Sequence, residues 1–329
     1  MNSLDRRVAV APMMDYTDRH CRYLMRLLSP SALLYTEMIT ASAIVRGDGL
    51  RLLSYDPAEH PVALQLGGSD PRELAQAARV GADFGYDEIN LNCGCPSDRV
   101  QNGRFGACLM GSAEQVADCV LAMRTAVAAP VTVKCRIGIE PRPDGHVDDY
   151  ETLSHFVRTV ASAGCDVFIV HARIAVLRGL SPKENREVPP LRYDDVARLH
   201  AEFPGQRFIL NGGLQTRPQI LCELERFDGV MIGREAYANP YLLAELHRDL
   251  VAPDTPLPAR QSVLAQYGRY VDDALGRGER LAPLLRPLHG LYAGLPGVRS
   301  WRRYLSEQAT GVRSGADILQ GAMRIVAAA

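Results

Sequence analysis

Apolar residues in this chain come in short runs bounded by polar or glycine-rich turns. Eight runs have the length of buried strands: Val8–Met13, Leu33–Met38, Val62–Gly67, Glu88–Asn92, Val131–Ile137, Val167–Arg173, Phe208–Asn211 and Gly229–Gly233. Their starts fall about 20 to 45 residues apart, and the intervals carry a helical period. Across Pro71–Gly81, Leu74, Ala77 and Ala78 share one helical face, Asp70 can cap, Pro71 suits the first turn and Glu73 completes a capping box. Ala113–Ala128 and Tyr150–Ala163 predict helices in the same way. Strands that read as apolar throughout, rather than alternating, imply a parallel sheet covered by helices. Eight β-then-α units in about 240 residues predict an α/β fold, a (β/α)8 TIM barrel over residues 1–245, with a doubly wound open sheet as the alternative. The unusual side chains decide for the barrel. They fall at or just past the C-terminal ends of seven of the eight runs, and in a barrel those ends form one mouth.

After about Leu246 the pattern changes to proline-spaced helical segments: Arg260–Gly276, Arg280–Tyr292, Ser300–Ala309 and Ala316–Ala328. These predict a C-terminal all-helical domain over 246–329. That segment carries 11 arginines and 7 acids, a net charge of +4, whereas residues 1–245 carry −5. A basic helical module beside an acidic barrel points to an anionic partner, although solvated helix faces read the same way.

Composition narrows the class. A hydrophobic fraction of 47% with 23% charged residues excludes disorder and fibrous structure. No stretch approaches the roughly 18 apolar residues of a membrane helix, and Met1 to Arg7 leads into a strand rather than a signal-peptide core, so a cytoplasmic protein is expected. Eight cysteines without a CxxC pair or a Cys/His ladder exclude a disulfide scaffold and predict mainly buried thiols. Of 37 basic side chains only Lys134 and Lys183 are lysines. A lysine inside the apolar Val131–Ile137 run is costly unless it meets an anion.

Several constellations sit at strand ends. Asn211-Gly212-Gly213 and Gly233-Arg234 close the seventh and eighth runs, where glycines let backbone N–H groups approach a phosphate and Arg234 adds charge. Gln65 emerges from an apolar run and would be buried without a partner unless something polar, such as a cofactor ring, fills the mouth. Met13 and Met14 follow the first run, as core filler or as walls for a flat ring. His171 ends the sixth run, as a core histidine or as a cofactor contact. Asn90-Leu91-Asn92-Cys93-Gly94-Cys95-Pro96-Ser97 ends the fourth. Its CxC spacing lacks a second ligand cluster, so no metal is expected. The turn at Gly94 and Pro96 points Cys95 into the mouth, where a protonated thiol can act as an acid. The stretch Gln101-Asn102-Gly103-Arg104-Phe105-Gly106 reads as a flap.

At these residues the chain resembles the tRNA-dihydrouridine synthases. The resemblance covers nearly the whole chain, from Ala11-Pro12-Met13-Met14-Asp15-Tyr16-Thr17-Asp18 through Leu91-Asn92-Cys93-Gly94-Cys95-Pro96 to Asn211-Gly212-Gly213 and Gly233-Arg234. The segments His171-Ala172-Arg173 and Gly179-Leu180-Ser181-Pro182-Lys183-Glu184-Asn185-Arg186 are similar to the bacterial A-type group, which acts on D-loop positions 20 and 20a. Cys93 is a departure, since relatives often carry another residue there. The resemblance implies FMN as cofactor and NADPH, or NADH, as reductant. It implies that Pro12, Met13 and Met14 line the flavin, Gln65 bonds its pyrimidine edge, and Lys134 and His171 contact it. Asn211, Gly212, Gly213, Gly233 and Arg234 would hold its phosphate. It further implies hydride transfer from flavin N5 to uracil C6, protonation of C5 by Cys95, and a uracil positioned by Asn92.

A uracil stacked in folded tRNA cannot reach the bottom of a barrel mouth, so it must be flipped out and recognised largely by shape and backbone. Lys183, Arg186, Arg299 and Arg302, with Arg303 and Trp301 beside them, are the expected tRNA contacts, with ordinary surface arginines and a core Trp301 as the alternative. A monomer without an obligate protein partner is expected. The alternative is an FMN barrel oxidoreductase for a small molecule, which needs no basic helical domain.

Overall fold

Each of the eight apolar runs forms a strand, shorter than its run at several ends: β1 (Val8–Val10), β2 (Leu33–Tyr35), β3 (Val62–Gly67), β4 (Glu88–Cys93), β5 (Val131–Arg136), β6 (Val167–His171), β7 (Arg207–Asn211) and β8 (Gly229–Ile232). The structure, a computed structural model, describes residues 4–97, 100, 103–141, 150–309 and 314–327. All barrel pairings are parallel, in the order β2-β1-β8-β7-β6-β5-β4-β3, and a β2–β3 pairing closes the ring. Closure disposes of the open-sheet alternative. Two-residue pairings were below the reach of pattern reading: Ile39–Thr40 extends against β3, and Ile139–Glu140 pairs with Ala175–Val176.

The helix predicted from Pro71 runs Pro71–Asp83, with Asp70 Oδ1 accepting from the N–H groups of Arg72 (2.8 Å) and Glu73 (2.9 Å). Glu73 itself pairs with Arg46 at 2.8 Å, so the acceptor half of the expected capping box forms and the reciprocal half gives way to an ion pair. Helices Ala113–Ala126 and Tyr150–Ser162 follow β4 and β5 as expected.

The expectation of strands apolar throughout needs correction. In β4, Glu88, Asn90 and Asn92 alternate with Ile89, Leu91 and Cys93, and all six are buried. Polar positions two apart share one face of a strand, here the face toward the lumen, where Glu88 and Asn90 bond Thr132 of β5 and Asn90 bonds Gln65 of β3. Below the mouth the lumen also holds an apolar cluster of Ala9, Ala11, Leu33, Tyr35, Ala63, Val167, Ile169, Ile209 and Met231.

The chain divides into two compact units. The first holds the strands, comprising residues to Met13, Leu33–Tyr55 and His60–Gly233; the second comprises Met14–Ala32, Asp56–Glu59 and the chain from Arg234 onward. The division thus falls at 233/234 rather than at 245/246, and it is not a single cut. Helix Arg19–Leu28 belongs to the second unit because Leu24 and Leu28 join a core with Leu264, Tyr267, Leu284 and Trp301. The predicted C-terminal helices appear as Arg260–Gly276, Leu281–Leu285 with a following 3-10 turn, Val298–Gln308 and Gly315–Ala327.

Candidate active site

β3, β4 and β5 bring one polar face of the lumen together. At the lower end, Glu88 accepts from Arg6 Nε (2.8 Å), from the Thr132 hydroxyl (2.7 Å) and from the Tyr35 hydroxyl. Burial and the Glu88 carboxylate push the Tyr35 phenol well above its ordinary pKa, so it stays a donor. Higher up, Asn90 Nδ2 donates to Thr132 Oγ1 (2.8 Å) and Gln65 Nε2 to Asn90 Oδ1 (2.8 Å), and Asn92 Nδ2 donates to Gln65 Oε1 (2.8 Å). Gln65 therefore has protein partners. The expectation that only a cofactor satisfies it is overturned, because alternate residues of β4 supply the missing groups.

Asn92 also shapes the turn beyond β4. Its Oδ1 accepts from the Gly94 (3.1 Å) and Cys95 (3.0 Å) N–H groups, leaving at most one side-chain N–H for a ligand. The Cys95 carbonyl accepts from Ala107 N at 2.9 Å. Gly106 makes that approach possible: its φ is +69°, and a Cβ there would lie 2.7 Å from the Cys95 oxygen. Cys95 is partly exposed with its Sγ 3.5 Å from Ser97 Oγ, whereas Cys93 is fully buried and burial raises its thiol pKa well above the ordinary value. The departure at Cys93 is thus a helix-facing thiol. Of the expected flap, Gln101 and Asn102 lie outside the described residues.

The other side of the mouth collects positive charge. Lys134 Nζ donates to Asn211 Oδ1 (3.0 Å), and Asn211 Nδ2 donates to Met231 O (2.7 Å). Burial pulls the Lys134 ammonium down to about 8. His171 is held well below its usual pKa, first by burial and then by Arg136, Lys134, Arg173 and Arg186. Among the described residues its buried Nδ1 has no hydrogen-bond partner, unlike that of a satisfied core histidine. Arg136 was not singled out in the sequence. It spans the site, donating from Nε to Gly94 O (3.1 Å) and from Nη1 to Ile174 O (3.1 Å) and Asn185 O (2.8 Å). Its only sequence signal was a second cation two residues after Lys134 in the same run, the spacing that puts both on one face.

Gly212 and Gly213 adopt φ of +111° and +71°, and a Cβ on Gly213 would lie 2.4 Å from Leu191 Cδ1. A Cβ on Gly233 would meet nothing within 4 Å, so there is room beside its backbone. Pro12 and Met13 are half-buried after β1, and Met13 packs on the lumen cluster. Met14 (51% exposed) and Arg234 belong to the helical unit, where Arg234 opens helix Arg234–Ala238.

Lys183 and Arg186 are exposed on a turn organised by buried Asn185, whose Nδ2 donates to Val176 O (2.8 Å). Arg299, Arg302 and Arg303 share the exposed face of Val298–Gln308. Of the two readings of Trp301 the core one holds: it lies in the core of the helical unit, with Nε1 donating to Leu288 O (2.9 Å) and its ring 4.6 Å from Tyr292. It lies two residues from Arg299 and from Arg303, about 200° around the helix, which turns it to the opposite face. Among the described residues no group of three or more His, Cys, Asp or Glu side chains is arranged to hold a metal, and no helix is long and apolar enough to cross a membrane.

A solved structure of 2-naphthoyl-CoA reductase is similar in fold, with a TM-score of 0.55 and 11% identity over 74% of this chain and 50% of that one. The dihydrouridine synthase family model matches residues 9–326. A tRNA-dihydrouridine(20/20a) synthase of Shewanella oneidensis is 52% identical over 98% of this chain and 95% of its own length. Proteins of the same name from Synechocystis and Escherichia coli K12 are each 53% identical, over 96% and 98% of this chain and 93% and 92% of theirs. A family match from β1 into the last helix, joined to relatives more than half identical along nearly their full length, places this chain in the dihydrouridine synthase family.

Proposed function

We propose that this protein reduces uridines of tRNA to 5,6-dihydrouridine, at positions 20 and 20a as in the relatives that share half its sequence. The observation that carries the chemistry is the Cys95 turn: a partly exposed thiol, clamped by Asn92, at the head of a strand whose lower residues are all buried. Held there, Cys95 gives a proton to uracil C5.

FMN fits the residues present. The orphaned His171 Nδ1 offers a polar contact, Lys134 a cation, Gln65 an amide edge, Gly212 and Gly213 a left-handed backbone open to a phosphate, and Gly233 unfilled space. Pro12, Met13 and Met14 would wall the ring, while Asn211 and Arg234 complete the phosphate contacts. Bound there, FMN supplies the hydride that reaches uracil C6, with NADPH or NADH as the external reductant. Asn92 positions the uracil, and Lys134 holds positive charge where negative charge develops.

RNA makes its own demands. The uridine must be extruded, and a protein recognising backbone needs cations on its surface. Lys183, Arg186, Arg299 and Arg302, all exposed, are the proposed phosphate contacts.

Replacing Cys95 with Ala tests the reading. FMN binding and NADPH-driven flavin reduction are expected to persist while dihydrouridine formation falls about 100-fold or more, measured in a single turnover on unmodified tRNA. Full product formation by that variant would remove Cys95 from the chemistry, and equal turnover of free uridine would favour a small-molecule substrate.

A further inference from the structure

The hydrogen bonds of the polar lumen all run in one direction. Gly94 and Cys95 N–H groups donate to Asn92, Asn92 to Gln65, Gln65 to Asn90, Asn90 to Thr132, and the Thr132 hydroxyl to Glu88. Both ends are chemically unambiguous. A backbone N–H can only donate, and a carboxylate paired with the Arg6 guanidinium at 2.7 Å accepts. Three side-chain amides stand between, and an amide can be turned end for end with little change of shape. Turning any of these three would set N–H against N–H or oxygen against oxygen at both its contacts. Thr132 is the hinge of the arrangement, since a hydroxyl that spends its one proton on Glu88 must accept from Asn90.

Gln65 inherits the consequence. One N–H and one oxygen lone pair are committed to Asn90 and Asn92, so whatever remains is presented to the mouth in a fixed donor and acceptor order. We propose that Glu88, four residues and about 13 Å below Asn92 along the strand, is a positioning residue. Through Thr132 and Asn90 it sets the orientation of the Gln65 amide and, through Asn92, the Cys95 turn. The inference rests on the reading that Gln65 faces FMN. Stability alone does not call for such a chain. Across the lumen, the apolar side chains of Val167, Ile169, Ile209 and Met231 fill the same barrel, and well-packed apolar groups commonly replace buried ion pairs without loss.

Thr132→Val removes the hydroxyl and keeps the shape; Thr132→Ser keeps the hydroxyl. Ile169→Val serves as a lumen control on the apolar side. Two measurements are made on cofactor-free protein: FMN affinity by fluorescence quenching, and the rate of Cys95 alkylation by iodoacetamide, resolved from Cys93 by peptide mass spectrometry. Thr132→Val is expected to weaken FMN binding about tenfold, the worth of one broken buried hydrogen bond, and to change the Cys95 rate several-fold. Thr132→Ser restores both to within about twofold on the same scale, and Ile169→Val moves neither, although it lowers the melting temperature. Wild-type values of both in Thr132→Val, or failure of Thr132→Ser to restore them, overturn the proposal. If Thr132→Val does not fold, Thr132→Cys, with its weaker S–H donor, takes its place and is expected to fall between the other two. Wild-type protein that binds no FMN overturns the cofactor reading by itself, and the alkylation rates still decide whether Glu88 acts on the Cys95 turn.

Discussion

The barrel lumen has two flanks, one on β6, β7 and β8 and the other on β3, β4 and β5, and they solve burial in opposite ways. On one, Val167, Ile169, Ile209 and Met231 meet as interchangeable apolar volume. On the other, Glu88, Asn90, Asn92, Gln65 and Thr132 meet as specific donors and acceptors, each needing its neighbour. An apolar flank tolerates change in proportion to volume lost, whereas a polar flank fails when a single partner disappears.

The sharpest break of that contrast is Glu88→Ala, which leaves Arg6 charged and buried. It should cost about 3–5 kcal/mol in urea unfolding, whereas Ile169→Val on the apolar flank should cost only about 1 kcal/mol. Comparable losses in the two would erase the distinction.

Gly213→Ala tests the cradle where the flanks meet the mouth. At φ +71° and with its Cβ 2.4 Å from Leu191, the variant should lose about 1–3 kcal/mol in thermal unfolding and bind FMN more weakly.

His171 sharpens the comparison through pH. Its folded pKa lies well below the unfolded value near 6.5, so the unfolded chain takes up the proton first. Its contribution to stability is therefore intact above about pH 6.5 and lost on acidification, by at most about 1.4 kcal/mol per unit. Denaturant unfolding across pH 5 to 7 should show this slope in wild type and a shallower one in His171→Gln.

The smallest effect belongs to Lys134. With its pKa lowered to about 8, it is mainly ammonium at pH 7 and loses charge as pH rises through 8. FMN affinity of cofactor-free protein should then fall by a factor of a few, on the scale of one screened charge contact, and Lys134→Met should flatten the profile. A profile unchanged by that substitution would detach Lys134 from the flavin.

Much of the candidate site was legible because barrels place function at strand ends. Gln65, Cys95, Lys134, His171 and Asn211 stood out as polar residues closing apolar runs. Glu88, Thr132 and Arg136 did not, and Asn90 entered only as the start of the Cys95 segment, although the alternation Glu-Ile-Asn-Leu-Asn was visible. A fully buried parallel strand is expected to be apolar on both faces, and that expectation hid the period of two. Trp301 could be read either as a neighbour of the surface arginines or as core, and its helical phase against Leu305 belongs to the core.

Local sequence determined the elements: run length and periodicity act over a few residues, so eight strands, their parallel pairing and the long C-terminal helices could be read without coordinates. Only tertiary structure decided which polar groups meet. Arg6 and Glu88 are 82 residues apart and Lys134 and Asn211 are 77 apart, and nothing local links them. The same holds for helix Arg19–Leu28, which follows the first barrel strand yet shares a core with Trp301. Closing a ring of strands converts positions distant in sequence into neighbours, and a hydrogen bond, unlike a hydrophobic contact, is defined by the one partner that closure supplies.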